Sequence, residues 1–307
     1  MAVQKDLDAH YTVMDKIFRY SIGEMGAYSG ARYDGDYTIP LEQAQHRKHE
    51  FIREHLNIKK GSKVLDMGCG WGAFLKYIDE IGAVGHGVVL AKGQAEACIK
   101  NGLNVKFMNA KHVTAETFGT TFDAISAMGS PEHLCSVEEY KAGKQDEVYR
   151  TYFKQLSEIM PVGGRLYFQT MVFGKNMMPI EEIPFDNVDV YKKEHTDAEH
   201  MAMLCDVFPG SWIPYGSEQV IETAKPYFEL KSIDSGRLDY IETINQWTKA
   251  FLKWQFKKYL LFASLTPKWL FNKHFRHWLR RFRVAPNRVT FEREILEHYR
   301  MVFERVQ

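Results

Sequence analysis

Residues 63–72 read Lys-Val-Leu-Asp-Met-Gly-Cys-Gly-Trp-Gly. The short apolar run Val64-Leu65 ends in an acid, Asp66, and then in a glycine-spaced turn, Gly68-x-Gly70-x-Gly72. A helical pattern follows at once in Ala73, Phe74, Leu75, Tyr77 and Ile78. The order is strand, tight loop, helix. Such a loop lets a ligand approach bare backbone, and the next helix presents N–H groups at its start. The spacing resembles the dinucleotide fingerprint without matching G-x-G-x-x-G. The acid two residues before the first glycine narrows the reading. S-adenosylmethionine (SAM) carries an ammonium group and a carboxylate, and a glycine loop flanked by Asp66 meets both signs. The plainer alternative is a crossover turn of an α/β core with no ligand.

Outward from this loop, residues 60–171 alternate strand and helix. Strands are expected at 63–67, 84–90, 105–108, 122–127 and 165–171, with helices near 73–81, 91–101 and 146–159. That rhythm implies an α/β fold with a mostly parallel, doubly wound sheet. Two helical segments precede it. In residues 1–30, Tyr11, Met14, Ile17, Phe18 and Ile22 line one face, and a second helix runs from Leu41 to Leu56. Residues 172–215 break the rhythm with Pro179, Pro184, Pro209 and Pro214, and read as an insertion over one sheet edge. A helix at 217–226 and a strand at 228–233 resume it. A long helical stretch is expected at 239–262, and the chain is expected to end in a helical run, 291–306. The resulting division is a helical cover (1–58), the ligand-binding core (59–171), an inserted lid over an acceptor pocket (172–215), and the end of the core with a basic, aromatic helical segment (216–307).

Composition narrows the function classes. The chain has 307 residues, is 45% hydrophobic and 26% charged, and carries a formal net charge of +1. No global field argues for nucleic acid as a partner. Cys69, Cys98, Cys135 and Cys205 are widely spread and form no C-x-x-C pair, which argues against a zinc site and fits a reducing compartment. The first residues, MAVQKDLDAHYTV, contain acids and no apolar core segment, so no signal peptide and a cytoplasmic location are expected.

In a doubly wound sheet, ligands sit beyond the carboxyl ends of the strands. Asp66 and Gly68 lie at the end of the first expected strand, Leu90 and Gln94 at and after the second. Met128, Gly129, Glu132 and His133 follow the fourth, and Gln169 and Thr170 close the fifth. One crevice holds them all. The acid that would bind a ribose after the second strand is missing, since Val88-Val89-Leu90-Ala91 stands there. This weighs against NAD(H). The Gln94 amide is the substitute partner for a ribose diol; the alternative is an ordinary solvated glutamine. Glu132-His133 has a plain alternative too, a structural hydrogen-bonding pair at a strand end.

At this point the chain resembles the cyclopropane-fatty-acid synthase and mycolic acid cyclopropane synthase family of SAM-dependent methyltransferases. Val-Leu-Asp-Met-Gly-Cys-Gly-Trp-Gly is similar to that family's L-D-I-G-C-G-W-G. Leu41-Glu42-Gln43-Ala44-Gln45 with Lys48 resembles its L-x-x-A-Q-x-x-K helix, and Tyr28-Ser29-Gly30-Ala31-Arg32-Tyr33 its Y-S-C-A-Y-F. Phe122-Asp123 with Glu132-His133, Phe208-Pro209-Gly210, and Asp239-Tyr240 with Thr243 and Trp247 follow in the family's order. The resemblance runs from about residue 10 to 252 and implies a class I, Rossmann-like methyltransferase. It implies that Tyr28, Ser29, Gly68, Gly70, Leu90, Gln94 and Met128 contact SAM, beside Asp66 of the loop. It also implies that Glu132 and Tyr240 belong to a four-residue set that holds a bicarbonate ion as the base. The cysteine of that set is Gly30 here and its histidine is Gln169, so half of the bicarbonate site is absent. Catalytic expectations therefore rest on Glu132, Tyr240, His133 and Gln169. After the third strand, Asn109-Ala110-Lys111 lacks the family's acid, and the expected C-terminal helix stands where the family adds a last strand.

The function expected from this resemblance is methyl(ene) transfer to the unsaturated acyl chain of a lipid, an apolar acceptor. The alternatives are methylation of a small amine or carbon nucleophile, and a non-catalytic SAM-binding protein. Residues 253–283 mix lysines and arginines with aromatics. They read either as a peripheral membrane contact or as a solvated helical cover whose aromatics pack inward.

Overall fold

A computed structural model of the chain describes residues 17, 19–23, 26–185, 188–208 and 210–307. Of the residues named above, Tyr11, Met14, Phe18 and Pro209 lie outside these. One seven-stranded sheet organises the molecule: β1 (Lys63–Met67), β2 (Val84–Val89), β3 (Val105–Phe107), β4 (Ala124–Met128), β5 (Arg165–Phe173), β6 (Phe228–Ser235) and β7 (Leu296–Arg305). The order across the sheet is β3-β2-β1-β4-β5-β7-β6. Strands β1 to β5 pair in parallel, and β7 runs antiparallel between β5 and β6. The alternating strand–helix sequence pattern thus gives the doubly wound sheet expected of it.

The helices are α1 (Leu41–His55), α2 (Ala73–Glu80), α3 (Lys92–Lys100), α4 (Gln145–Glu158), α5 (Asp197–Val207), α6 (Gly216–Ala224), α7 (Arg237–Leu252), α8 (Phe256–Phe271), α9 (Lys273–Val284) and α10 (Pro286–Glu292), with shorter helical turns between them. Neighbouring residues of a strand face opposite sides, so β1 supplies both layers of the core. Leu65 and Met67 join Ile125, Phe153, Leu156, Phe168 and Phe303 under α4 and α6. Val64 joins Ile52, Leu56, Phe74, Tyr77, Ile78 and Val302 under α1 and α2. Burial on both faces explains why the parallel strands read as apolar runs rather than alternating ones. The insertion after β5 packs Ile180, Ile183, Met201, Leu204, Trp212 and Ile213 against Met171, Phe173, Tyr240 and Trp247. It therefore covers the carboxyl end of β5 beside α7.

Two expectations fail. The run 291–306 is not helical: α10 ends at Glu292, Glu294 takes a left-handed turn (φ 53°), and 296–305 forms β7. The charged residues of Leu-Glu-His-Tyr-Arg-Met-Val-Phe-Glu-Arg suit a helix locally. Pairing on both sides, from Arg165↔Glu304 to Phe173↔Leu296 on β5 and from Phe228↔Arg305 to Ser235↔Tyr299 on β6, overrides that preference. The chain thus has the last strand that its sequence appeared to lack. The stretch 239–262 is also broken, at Lys253–Gln255. Lys258 folds back there and donates to the carbonyls of Ala250, Phe251 and Lys253 (3.1, 2.8 and 2.6 Å), satisfying the last turn of α7 with a buried ammonium. Lys258 is consequently withdrawn from the basic surface of which its position in the sequence makes it a part.

Candidate active site

The carboxyl ends of β1, β2, β4 and β5 open into one cavity of about 270 Å³. Its donor side is built by the glycine loop. The N–H groups of Gly68 and Cys69 both donate to the Val88 carbonyl (2.9 and 3.0 Å), which fastens the loop to β2. Gly68 sits at φ +96°, and a Cβ there would lie 2.4 Å from the Cβ of Ser130, whose hydroxyl donates to the Met67 carbonyl. Only glycine fits this turn. Gly70 is different: a Cβ there would meet nothing within 4 Å, so its backbone faces open space.

Asp66 lies below the loop, almost fully buried, and accepts a hydrogen bond from Ser126 Oγ at 2.7 Å. Burial pushes its carboxyl up to about 6, against the opposing pull of Ser126 and Lys48. Lys48 on α1 is wholly buried, and desolvation holds it down to about 7 in spite of Asp66. Its Nζ donates to Ser29 Oγ at 2.8 Å, and Gln45 Nε2 donates to the Ser29 carbonyl at 2.9 Å. Two α1 side chains thereby hold the segment 26–30 across the mouth of the cavity. Tyr28 stacks on Trp247 with centroids 4.7 Å apart and meets Trp71 edge-on at 6.4 Å. Leu90, the half-buried Gln94 and Asn109–Lys111 complete this side.

The acceptor side gathers distant segments. Glu132 follows β4 and is 5% exposed; the Met171 N–H donates to its Oε1 at 3.0 Å. Burial pushes its carboxyl up to about 8, with the Met171 amide opposing. Gln169 on β5 is bonded at both ends of its amide: Tyr167 OH donates to Oε1 (2.9 Å) and Nε2 donates to the Gly30 carbonyl (3.1 Å). Tyr240 on α7 packs between Trp247, Phe291 and His298.

All twelve residues expected at the site line this cavity: Tyr28, Ser29, Asp66, Gly68, Gly70, Leu90, Gln94, Met128, Glu132, His133, Gln169 and Tyr240. Their surroundings differ. His133 Nδ1 lies 3.0 Å from Ser211 Oγ and its ring lies beside Phe208, so it ties the insertion to the end of β4. The sequence reading missed His49, Trp71, Asn287 and His298, which line the same cavity. Trp71 stands inside the quoted glycine run and was legible there. His298 was not, because its stretch read as helix.

The donor half suits SAM. Its loop exposes backbone at Gly70, its buried acid can face an ammonium group, and Gln94 offers an amide where the ribose acid is missing. Comparison with known proteins agrees. The family described as mycolic acid cyclopropane synthetase matches residues 2–290. Hydroxymycolate synthase MmaA4 of Mycobacterium bovis is 26% identical over 249 residues, covering 79% of this chain and 76% of that protein. The cyclopropane synthase MmaA2 of Mycobacterium tuberculosis shares the fold at a TM-score of 0.73 with 21% identity, over 99% of both chains. The mycolic acid cyclopropane synthase CmaA1, solved with S-adenosylhomocysteine (SAH), gives a TM-score of 0.72 at 20% identity over 98% of both chains. The chain belongs to the mycolic acid cyclopropane synthetase family and is a SAM-dependent methyltransferase.

Proposed function

We propose that the chain transfers a methyl or methylene carbon from SAM to the double bond of an unsaturated lipid acyl chain. What carries this reading is a single cavity that joins the glycine loop to a buried acceptor half containing Glu132, Gln169 and Tyr240, in a chain of this family. SAM supplies a methyl group made electrophilic by its positive sulfur. The protein has to aim a weak nucleophile at that methyl and keep water away. Asp66, Gly68 and Gly70 hold the amino-acid end of SAM, Gln94 its ribose, and Tyr28, Ser29, Leu90 and Met128 wall it in. Tyr28 and Ser29 do so as a strap held by Lys48 and Gln45. Glu132 stands at the acceptor end, fixed by the Met171 amide. With Gly30 and Gln169 in place of the cysteine and histidine that the family resemblance implies for a bicarbonate site, half of that side-chain set is absent.

A lipid acceptor also requires access to a membrane. Helix α8 and its flanks leave Leu252, Trp254, Phe256, Trp269, Leu270 and Phe271 exposed, with Trp254 at 70% and Phe271 at 87%. Exposed Lys253, Lys257, Lys268 and Lys273 surround them. Aromatic rings ringed by lysines suit an anionic bilayer surface. Helix α9 behaves otherwise: Phe275 is buried, and Arg280 Nε donates to the Val190 carbonyl (3.4 Å). The membrane face is therefore assigned to α8, with α9 as packed cover. No helix among the described residues is long and apolar enough to cross a membrane.

The test is to incubate the purified chain with SAM and vesicles of dioleoyl phosphatidylglycerol and weigh the acyl chains. A gain of one carbon is expected. Turnover of SAM only with small amines, or SAM binding with no turnover on any acceptor, would overturn the lipid reading.

A further inference from the structure

The acceptor half contains a residue that the family resemblance does not supply. His298 is the third residue of β7 and lies opposite Met171 in the β5–β7 register. Met171 is the residue whose amide holds Glu132. The imidazole is 2% exposed, lines the cavity, and packs against the Tyr240 ring with centroids 4.8 Å apart. Its position is tied to a missing side chain. A Cβ on Gly30 would come within 3.1 Å of His298 Cε1, 3.4 Å of Gln169 Nε2 and 3.4 Å of the Tyr240 ring. The space a cysteine would need at position 30 is thus partly taken by the imidazole. Nδ1 lies against the backbone of Gly236, where a Cβ would approach it to 2.5 Å, which leaves Nε2 as the nitrogen turned away from that backbone.

We propose that His298, delivered by the last strand, is the proton acceptor of this site, in place of the cysteine and histidine lost as Gly30 and Gln169. The assignment rests on the lipid reading above. In the reaction, the alkene π pair bonds to the methyl carbon while the pair of the broken S–C bond stays on sulfur. One former alkene carbon is left cationic. A C–H bond of the new methyl then gives its electron pair to that carbon, closing a three-membered ring. Its proton goes to Nε2 of His298, and the imidazolium returns it to solvent when the product leaves. Burial, with Arg300 on the same strand and Lys48 on α1, keeps the imidazole neutral well below the usual histidine range, so it is ready to accept. A carbocation is so strong an acid that a weak, correctly placed base suffices. Glu132, whose carboxyl burial pushes up to about 8, is the poorer candidate for this step.

The experiment compares wild type, His298→Ala and His298→Gln on dioleoyl phosphatidylglycerol vesicles, with SAM affinity measured beside turnover. A loss of about 100-fold or more in kcat, at a SAM Kd within about twofold of wild type, is expected. Added imidazole should restore about tenfold in His298→Ala and nothing in His298→Gln, whose side chain fills the gap. Undiminished ring-closed product from either variant overturns the assignment. A second arm needs no turnover and stands even if the vesicles are not the acceptor. In 15N-histidine NMR of the SAH complex, the resonance absent from His298→Gln should shift on adding hexadecyltrimethylammonium, an apolar chain bearing a fixed cation. A resonance that does not move takes His298 away from the reacting carbon and also overturns it.

Discussion

The two halves of the cavity are built in opposite ways. The donor half is centred on one contiguous run, Asp66 to Gly72, clamped to β2 by two hydrogen bonds onto a single carbonyl, with walls added by the 26–30 strap, Leu90, Gln94 and Met128. The acceptor half draws Gly30 from the strap, Glu132 from the turn after β4, Gln169 from β5, Tyr240 from α7 and His298 from β7. A local motif fixes geometry through short-range sterics, and substitution within it is felt at once. An assembled site can exchange members: a side chain lost from one element can be replaced from another, provided the backbones already converge. Here the glycine loop keeps the family pattern, while the donor side departs from it at Asn109–Lys111 and the acceptor half at Gly30 and Gln169.

The largest effect that would test this contrast comes from Gly68→Val. A left-handed backbone and a Cβ driven against Ser130 should weaken SAM binding by about 100-fold in calorimetry. Gly70→Ala is the milder variant: its Cβ enters open space, but alanine must hold φ +54°, so it should lower the melting temperature modestly and reduce SAM affinity less than Gly68→Val. Unchanged affinity in both would remove the loop from the donor site.

Next in size is Glu132→Gln: with His298 as the proton acceptor and the Glu132 carboxyl pushed up by burial, glutamine should lower kcat by no more than about tenfold. Its stability effect has a definite sign. The folded pKa of Glu132, about 8, lies above its ordinary value of 4.5. The stability it contributes is complete below pH 4.5 and is lost as pH climbs toward 8. Glutamine does not ionise, so urea unfolding should show the variant matching wild type near pH 4.5 and exceeding it increasingly above. The gap should grow on the order of 1 kcal/mol per pH unit. A gap that stays flat from pH 5 to 8 would mean that the carboxyl is not desolvated.

The smallest effect is expected outside the cavity. Trp254→Ser with Phe271→Ser should reduce flotation with anionic vesicles by about tenfold, while changing stability by no more than about 0.5 kcal/mol. If instead the double variant abolished self-association in sedimentation and left vesicle binding intact, the exposed face of α8 would belong to a second copy of the chain.

Much of the molecule was legible in the sequence, and the limits follow element by element. The strand–loop–helix at 63–80 was plain because its signals are local: an apolar run, positive-φ glycines and a helical period. The expected ends of β1 to β5 lie within two residues of those observed, since parallel strands buried on both faces cannot hide their hydrophobicity. The convergence of Asp66, Leu90, Met128, Glu132 and Gln169 followed from topology, as each sits at a carboxyl end of the same sheet. The fate of residues 291–306 did not follow. Their charges favour a helix until β5 and β6 offer two unpaired edges, and those edges exist only in the folded chain. Lys258 is a similar case: its sequence neighbours mark it as surface, yet it is buried capping α7.

The sequence by itself determined the α/β sheet, the glycine loop with its acid, and the family, because each is written in short-range pattern and ordered motifs. Only the tertiary structure decided that β7 lies between β5 and β6 and brings His298 against Tyr240 and Gly30. It also decided that Gln169 is bonded at both ends and that burial raises Glu132. Those facts depend on pairing and desolvation between separate elements of the fold, which no local pattern encodes.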